Sequence, residues 1–234
     1  MSRRLLLDRL GADGNPPLEQ VEVEGWRLRA AAGVLLRANS ALPLSDAMPL
    51  DGVVEFYRSR GLPPRVHVSS SALDDALAAL GWRREFEVLV MSGPVPAGPS
   101  SAVVASAMDD DWLDCWWAVD GRGGPAEQDV LRRMSARVPA PSAYASVVAD
   151  GRTVAVGRGV VQEGWLGVYA MAALPAWRER GLGREVLQGL GSWAAARGAH
   201  SAHLQVLTDN VAARGLYASA GLRPAHGYHY RTLA

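Results

Sequence analysis

Apolar positions recur at helical spacing most clearly over residues 182–197, where Leu182, Val186, Leu190, Trp193 and Ala194 share one face and Gly198 ends the run. The same pattern predicts helices over 51–60, with Val53, Val54, Phe56 and Tyr57 apolar, and over 71–80, with Gly81 just past the end. Further helices are expected over 110–119, 126–137 and 211–220, the last closed by Gly221. Alternation and short apolar runs predict strands over 26–31, 33–37, 65–69, 86–91, 103–107, 143–149, 153–161, 164–173, 201–207 and 228–233. Asp150-Gly151 joins two of these as a hairpin turn. In the second half, hairpin strands come first and helical crossovers follow. That order predicts an α/β fold with a mixed sheet.

The pattern breaks at Ser92-Gly93-Pro94-Val95-Pro96-Ala97-Gly98-Pro99-Ser100-Ser101. Proline removes an amide donor and glycine adds freedom, so neither a helix nor an inner strand is expected to cross it. This divides the chain into residues 1–92, a linker at 93–101 and a domain at 102–234. The alternative is a long surface loop inside one domain.

Composition narrows the classes. The 24 basic residues are all arginine and balance 24 acidic ones, which argues against a general nucleic-acid binder. Nearly half the residues are apolar, enough for a sizeable core. Cys115 is the single cysteine, so no internal disulfide forms and a cytoplasmic location is the default. No apolar stretch reaches membrane-spanning length.

The candidate chemistry sits at Arg178-Glu179-Arg180-Gly181-Leu182-Gly183, between a strand and the most periodic helix. Two glycines allow close backbone approach, and a helix start offers free amides and the positive end of a dipole. That suits a pyrophosphate; the same loop is also a plain tight connection in many proteins.

Here the chain resembles the GNAT acetyltransferases. Arg178-x-x-Gly181-x-Gly183 matches their acetyl-CoA signature, Arg/Gln-x-x-Gly-x-Gly/Ala at a helix start. His203-Leu204-Gln205-Val206-Leu207-Thr208-Asp209-Asn210 is similar to their next strand with its following asparagine. Ala212-Ala213-Arg214-Gly215-Leu216-Tyr217-Ala218-Ser219-Ala220-Gly221-Leu222 resembles their Ala-x-x-Leu-Tyr-x-x-x-Gly-Phe helix, with Leu222 replacing the aromatic. The resemblance covers residues 102–234. It implies a mostly antiparallel central sheet of the acyl-CoA N-acyltransferase type. It also implies acetyl-CoA as co-substrate and an amine as acceptor.

The resemblance further implies roles. The strand over 164–173 splays from that over 201–207, and backbone groups at Met171, Ala172 and Ala173 hold the pantetheine and thioester. The amides of Arg178, Glu179, Arg180, Gly181, Leu182 and Gly183 hold the pyrophosphate. Asn210 touches the cofactor arm, and Tyr217 protonates the departing thiolate. A phenol near pKa 10 is a reasonable donor to a thiolate. Without the resemblance, Tyr217 reads as a core tyrosine and Asn210 as a helix N-cap.

The general base is open. Many members carry an acid on the central strand, but residues 166–173 hold none. Glu163, Asp120 and Glu127 are candidates, as is a water chain. This leaves a second hypothesis, a catalytically weak acyl-CoA-binding sensor.

Other residues carry less. Asp109-Asp110-Asp111 reads as a solvated helix start, and no metal site is expected. Trp112, Trp116 and Trp117 suit either core packing or an apolar acceptor pocket. Cys115 reads as buried and inert. Among the histidines, His229 on its alternating strand faces solvent or the acceptor cleft. Residues 37–82 repeat the element order of the second half, but the loop Ser45-Asp46-Ala47-Met48-Pro49-Leu50 lacks the glycine pair. The whole resembles actinobacterial tandem acetyltransferases with a degenerate, truncated first half. Arg37, Asn39 and Ser40 are either cleft or turn residues. A fused half favours a monomer over a homodimer.

Overall fold

The structure is a computed structural model that describes residues 2–234. In chain order the elements are α1 (Arg3–Asp13), β1 (Glu19–Val23), β2 (Trp26–Ala30), β3 (Leu42–Pro43), α2 (Leu50–Arg58), β4 (Arg65–Val68), α3 (Ser71–Ala79) and β5 (Arg83–Pro94). Then come β6 (Val103–Ala105), α4 (Asp110–Asp120), α5 (Pro125–Ser135), β7 (Ser142–Ala149), β8 (Arg152–Gln162), β9 (Trp165–Ala173), α6 (Leu182–Ala195), β10 (Ser201–Leu207), α7 (Val211–Ser219) and β11 (Arg223–Thr232). The expected α/β class and mixed sheet are present. No helix among the described residues is long and apolar enough to cross a membrane.

The chain forms two compact units. One comprises Met1–Leu89, Gly124–Arg137 and His226–Ala234; the other comprises Val90–Gly123 and Val138–Ala225.

In the first unit, β1, β2 and β3 form a small antiparallel sheet, and β4 pairs antiparallel with β11. Trp26, Leu28, Val53, Phe56, Tyr57, Val66 and Leu77 form one core cluster. α5 contributes Val130 and Met134 to a second cluster with Ala31, Val34 and Ala38. The strand expected over 33–37 does not form. Asn39 Oδ1 accepts from the amides of Ala31 and Gly33 at 2.8 and 3.0 Å, and its Nδ2 donates to the Val34 and Leu35 carbonyls. These four bonds fix a turn and a short 3₁₀ helix, Leu36–Asn39, with Leu35 at φ 60°. Side-chain bonding to backbone thus outcompetes the ladder. Asn39 is a turn residue, and Ser40 is likewise engaged, its carbonyl and hydroxyl accepting from buried Arg29.

His229 also departs from expectation. It faces neither solvent nor a cleft: it is buried, with Nε2 2.7 Å from Asp74 Oδ1, which also accepts from Arg231. The first helix and β1 had no counterpart in the sequence pattern. Ser2 caps α1 by accepting from Leu5. α1 also buries Asp8, whose Oδ1 lies 2.8 Å from His226 Nε2 and 3.5 Å from His67 Nε2.

In the second unit, β7, β8 and β9 are antiparallel neighbours, β6 pairs with β7, and β10 runs parallel to β9. Asp150 and Gly151 take φ 50° and 70°, the left-handed pair that a two-residue hairpin turn demands. α6 packs on one face of β7–β9. Gly157 and Gly159 on β8 have no side chain there, so Met171, Val186 and Leu190 fill the space. β5 remains a strand through Ser92-Gly93-Pro94, three residues further than the proline and glycine pattern suggested. Residues 95–101 then lie along α6. Gln188 Nε2 donates to the Ala97 carbonyl at 3.2 Å, and Ser100 Oγ to the Glu185 carbonyl at 2.7 Å. A Cβ on Gly191 would collide with the Pro96 carbonyl oxygen.

Candidate active site

Two strands part beside the head of α6. The parallel ladder pairs Ser201–Leu204 with Trp165–Val168 and ends there, although β9 continues to Ala173 and β10 to Leu207. Two residues past the last pair, Ala170 adopts φ 50°, and the β8–β9 register shifts between Val156 and Arg158. A left-handed alanine within a strand costs on the order of 1 kcal/mol. Such a bulge re-aims the backbone. Met171, Ala172 and Ala173 follow it where β9 still runs beside β8 but no longer pairs with β10, with Met171 and Ala173 half-buried.

From Ala173 the chain passes through a 3₁₀ turn, Pro175–Trp177, to the loop. Arg178 folds back, its Nε donating to the Ala173 carbonyl at 3.2 Å. Glu179 takes φ 62°, and the Arg180 guanidinium lies 4.8 Å from the Trp177 ring centroid. Gly181 is the N-cap of α6 in the left-handed region, φ 81°. It has no side chain to cap the helix, and a Cβ there would meet nothing within 4 Å. The first amides of any helix lack partners inside it, and here Leu182 and Gly183 supply them. A Cβ on Gly183 would come 3.0 Å from Leu216 Cδ2, so α7 borders this helix start. Arg184 Nη2 donates to Ser219 Oγ at 2.8 Å across the same junction.

Asn210 is the N-cap of α7, its side chain accepting from the Ala213 amide at 3.1 Å. Tyr217 lies about 10 Å further along that helix at 1.5 Å per residue, next to Leu216, and is buried.

Glu163 occupies the β8–β9 turn at φ 50°, eight residues before Met171, and the six strand steps from Trp165 to Met171 alone span about 20 Å. Glu127 caps α5 by accepting from the Gly124 amide at 2.7 Å, and that bond holds its carboxyl below the usual range. Asp120 is an exposed residue at the end of α4. Asp109 accepts from the Trp112 amide and starts α4, with Asp110 and Asp111 exposed behind it. Cys115 is buried, and burial pushes its thiol up to about 11. The Trp112 indole donates towards the Ala145 and Gly157 carbonyls, which is packing on the sheet rather than a lining role.

One group near the bulge was not anticipated. Arg158, Tyr144 and Tyr169 face one another across β7, β8 and β9, because Tyr144 pairs with Arg158 and Arg158 with Tyr169. Residues directly opposite in antiparallel strands point to the same side. Arg158 is 5% exposed, its guanidinium 4.9 Å from the Tyr169 ring centroid. The Tyr169 ring lies over Gly167; a Cβ there would be 2.5 Å from its hydroxyl. Buried His203 on β10 meets the Tyr169 and Trp165 rings edge-on at 6.3 Å. Its Nδ1 has no hydrogen-bond partner, and burial lowers its pKa to about 4. The available sequence signal was an arginine and a histidine inside runs otherwise apolar on both faces.

Comparison with known proteins matches this arrangement to a family. The model described as "Probable histone acetyltransferase Rv0428c C-terminal" matches residues 4–231. The "Probable histone acetyltransferase Rv0428c" of Mycobacterium tuberculosis is 30% identical over 240 residues, covering 96% of this chain and 72% of that protein. The "Uncharacterized N-acetyltransferase YobR" of Bacillus subtilis is 28% identical over 244 residues, covering 96% of each. Among solved structures, a GCN5-related N-acetyltransferase from Kribbella flavida shares the fold with TM-score 0.70 at 15% identity, over 98% of this chain and 94% of that one. A tandem GNAT protein from the clavulanic acid biosynthesis pathway gives 0.63 at 12%, over 97% and 87%. Enzymes of this type use acetyl-CoA. The protein therefore belongs to the family of the Rv0428c C-terminal region and is a GNAT-type acetyltransferase.

Proposed function

We propose that the protein transfers acetyl from acetyl-CoA directly to an amine of a small molecule or peptide, with Tyr217 as the general acid. The observation that carries this reading is Gly181: a left-handed, side-chain-free N-cap whose helix amides are open to a ligand. Open amides at a helix start, with the dipole behind them, suit a pyrophosphate. The residues Arg178, Glu179, Arg180, Gly181, Leu182 and Gly183 would hold it through their backbone. Where β9 leaves β10, the main chain of Met171, Ala172 and Ala173 would bond the pantetheine amides and orient the thioester carbonyl. Asn210 would border the same arm while keeping its cap.

The co-substrate supplies an activated acyl group. The chain's residues have three tasks: to polarise the carbonyl, to neutralise the leaving thiolate and to orient the amine. Backbone amides after the Ala170 bulge serve the first, since fixed donors aimed at developing charge need no reorganisation. Tyr217 serves the second by giving its hydroxyl proton to the sulfur as the C–S bond breaks, and the proton that the nitrogen loses on forming the C–N bond returns to the tyrosinate. Burial of Tyr217 favours the neutral phenol, so the proton is in place when the thiolate departs.

We also infer that the first part of the chain is a truncated copy of the same fold. Supporting this are the matching orders β3, α2, β4, α3, β5 and β9, α6, β10, α7, β11. Its junction from β3 to α2 has Pro49 as N-cap and no glycine pair, so no pyrophosphate is assigned to it.

The test is Tyr217→Phe. The expected result is a fall of about tenfold or more in kcat, typical of a lost positioned acid, with acetyl-CoA affinity unchanged. Unaltered turnover would remove Tyr217 from the mechanism.

A further inference from the structure

The two faces of the β8–β9 strip differ in chemistry. The face under α6 is dry: Gly157, Gly159, Leu166, Val186 and Leu190 close on one another. The other face, where Trp112 of α4 meets Tyr144 edge-on at 5.3 Å, carries Arg158, Tyr144, Tyr169 and His203. This second face places polar side chains beside the bulge, where an incoming amine needs them.

Charge on that face has one sign. β7, β8, β9 and β10 contain no aspartate or glutamate. The acids of α4, Asp110, Asp111, Asp114 and Asp120, are all exposed. Arg158 lies between the phenols of Tyr144 and Tyr169 and shares a side-chain hydrogen bond with Tyr144. A guanidinium stays protonated even when buried, and burying it is costly. His203 is neutral at physiological pH and adds no charge, but its ring lies 6.3 Å from that of Tyr169 and its buried Nδ1 has no hydrogen-bond partner among the described residues. A buried polar atom without a partner calls for an unseen water or ligand.

We propose that Arg158, Tyr169 and His203 form the acceptor subsite, and that it selects an amine with a carboxylate close to its nitrogen, such as an α-amino acid, over a polycationic substrate. Arg158 supplies the attraction. At roughly 8 Å and an effective dielectric near 20, one such charge is worth about thirtyfold in affinity. The same field opposes a lysine-rich tail, whose amine arrives among other cations. His203 Nδ1 accepts a hydrogen bond from the amine or its water, and Gly167 leaves the room in which Tyr169 lies flat. This rests on the acetyl-transfer reading above.

The experiment compares kcat/KM for α-amino acids, their carboxamides and a lysine-rich peptide, with acetyl-CoA binding measured on the same samples. The expected result is a preference of about tenfold or more for the carboxylate over its carboxamide, with the peptide poorest. In Arg158→Gln that preference disappears while acetyl-CoA affinity holds; Arg158→Lys keeps part of it. If Arg158→Gln does not fold, the wild-type panel and Arg158→Lys decide. Carboxamides or the peptide used equally well, or no carboxylate amine acetylated by protein that binds acetyl-CoA, would overturn the subsite. Absence of acetyl-CoA binding would instead overturn the underlying transferase reading.

Discussion

The chain builds two strand-to-helix junctions of similar order and finishes them differently. Before α2, Ser45 Oγ donates to the Glu24 carbonyl at 2.6 Å and accepts from the Ala47 amide, and Pro49 stands at the helix start. That loop is closed on its own hairpin, so tightly that a Cβ on Gly25 would lie 2.8 Å from Ser45 Cβ. Before α6, Gly181 stands exposed and left-handed with open space around it. The buried histidines differ in the same sense. His67 has the Asp8 carboxylate 3.5 Å from its Nε2 and stacks on Tyr228 at 3.8 Å, whereas among the described residues His203 meets the ring edges of Tyr169 and Trp165 and no carboxylate. The lesson is that a ligand site is recognised by polar groups left unanswered, more than by the order of elements around it.

The comparison can be broken at several points. The largest expected effect is on stability against pH. Unfolded histidine titrates near 6.5, while burial holds His203 at about 4 in the folded chain. Below 6.5 the unfolded chain therefore binds the extra proton, and stability falls as pH drops from about 7 to 4. The loss amounts to about 3 kcal/mol. Urea unfolding of wild type and His203→Leu checks this: the variant's profile should be flatter by that amount over that window. Asp8, held well below the usual carboxylate range against its buried histidine neighbours, contributes in the same direction at lower pH in both proteins.

Next in size, Gly191→Ala should destabilise by about 2 kcal/mol, because the Pro96 carbonyl occupies the added methyl's place. Gly215→Ala, on exposed helix surface with nothing within 4 Å, should stabilise by up to about 1 kcal/mol. Opposite signs for the same substitution, read by chemical unfolding, would establish that residues 95–101 hold α6 in place. The smallest effect is at the closed junction. Ser45→Ala should cost about 1 kcal/mol through its lost hydrogen bonds and leave acetyl-CoA binding unchanged. A change in that binding would contradict the contrast drawn between the two loops.

Much of the second unit was legible in the sequence. β10 was expected with its observed bounds, and α6 and α7 to within two residues, because strong periodicity ends at Gly198 and Gly221. What escaped had no local signature. β1 is almost wholly exposed, so its residues show no buried alternation. α1 is fixed partly by Asp8 meeting His67 and His226, 59 and 218 residues away. The turn at Asn39 depends on four side-chain bonds that outweigh an apolar run. The Arg158 group is assembled by register across three strands. From sequence, its signal was an arginine and a histidine inside largely apolar runs.

The central claim is that the open junction at Gly181 holds acetyl-CoA. Calorimetric titration of wild type beside a Gly181→Glu, Gly183→Glu variant tests it most directly. The account predicts saturable binding by the wild type that weakens at least about a hundredfold in the folded variant, since two side chains and two negative charges then fill the helix start. Equal binding by both proteins, or none by well-folded wild type, would contradict it.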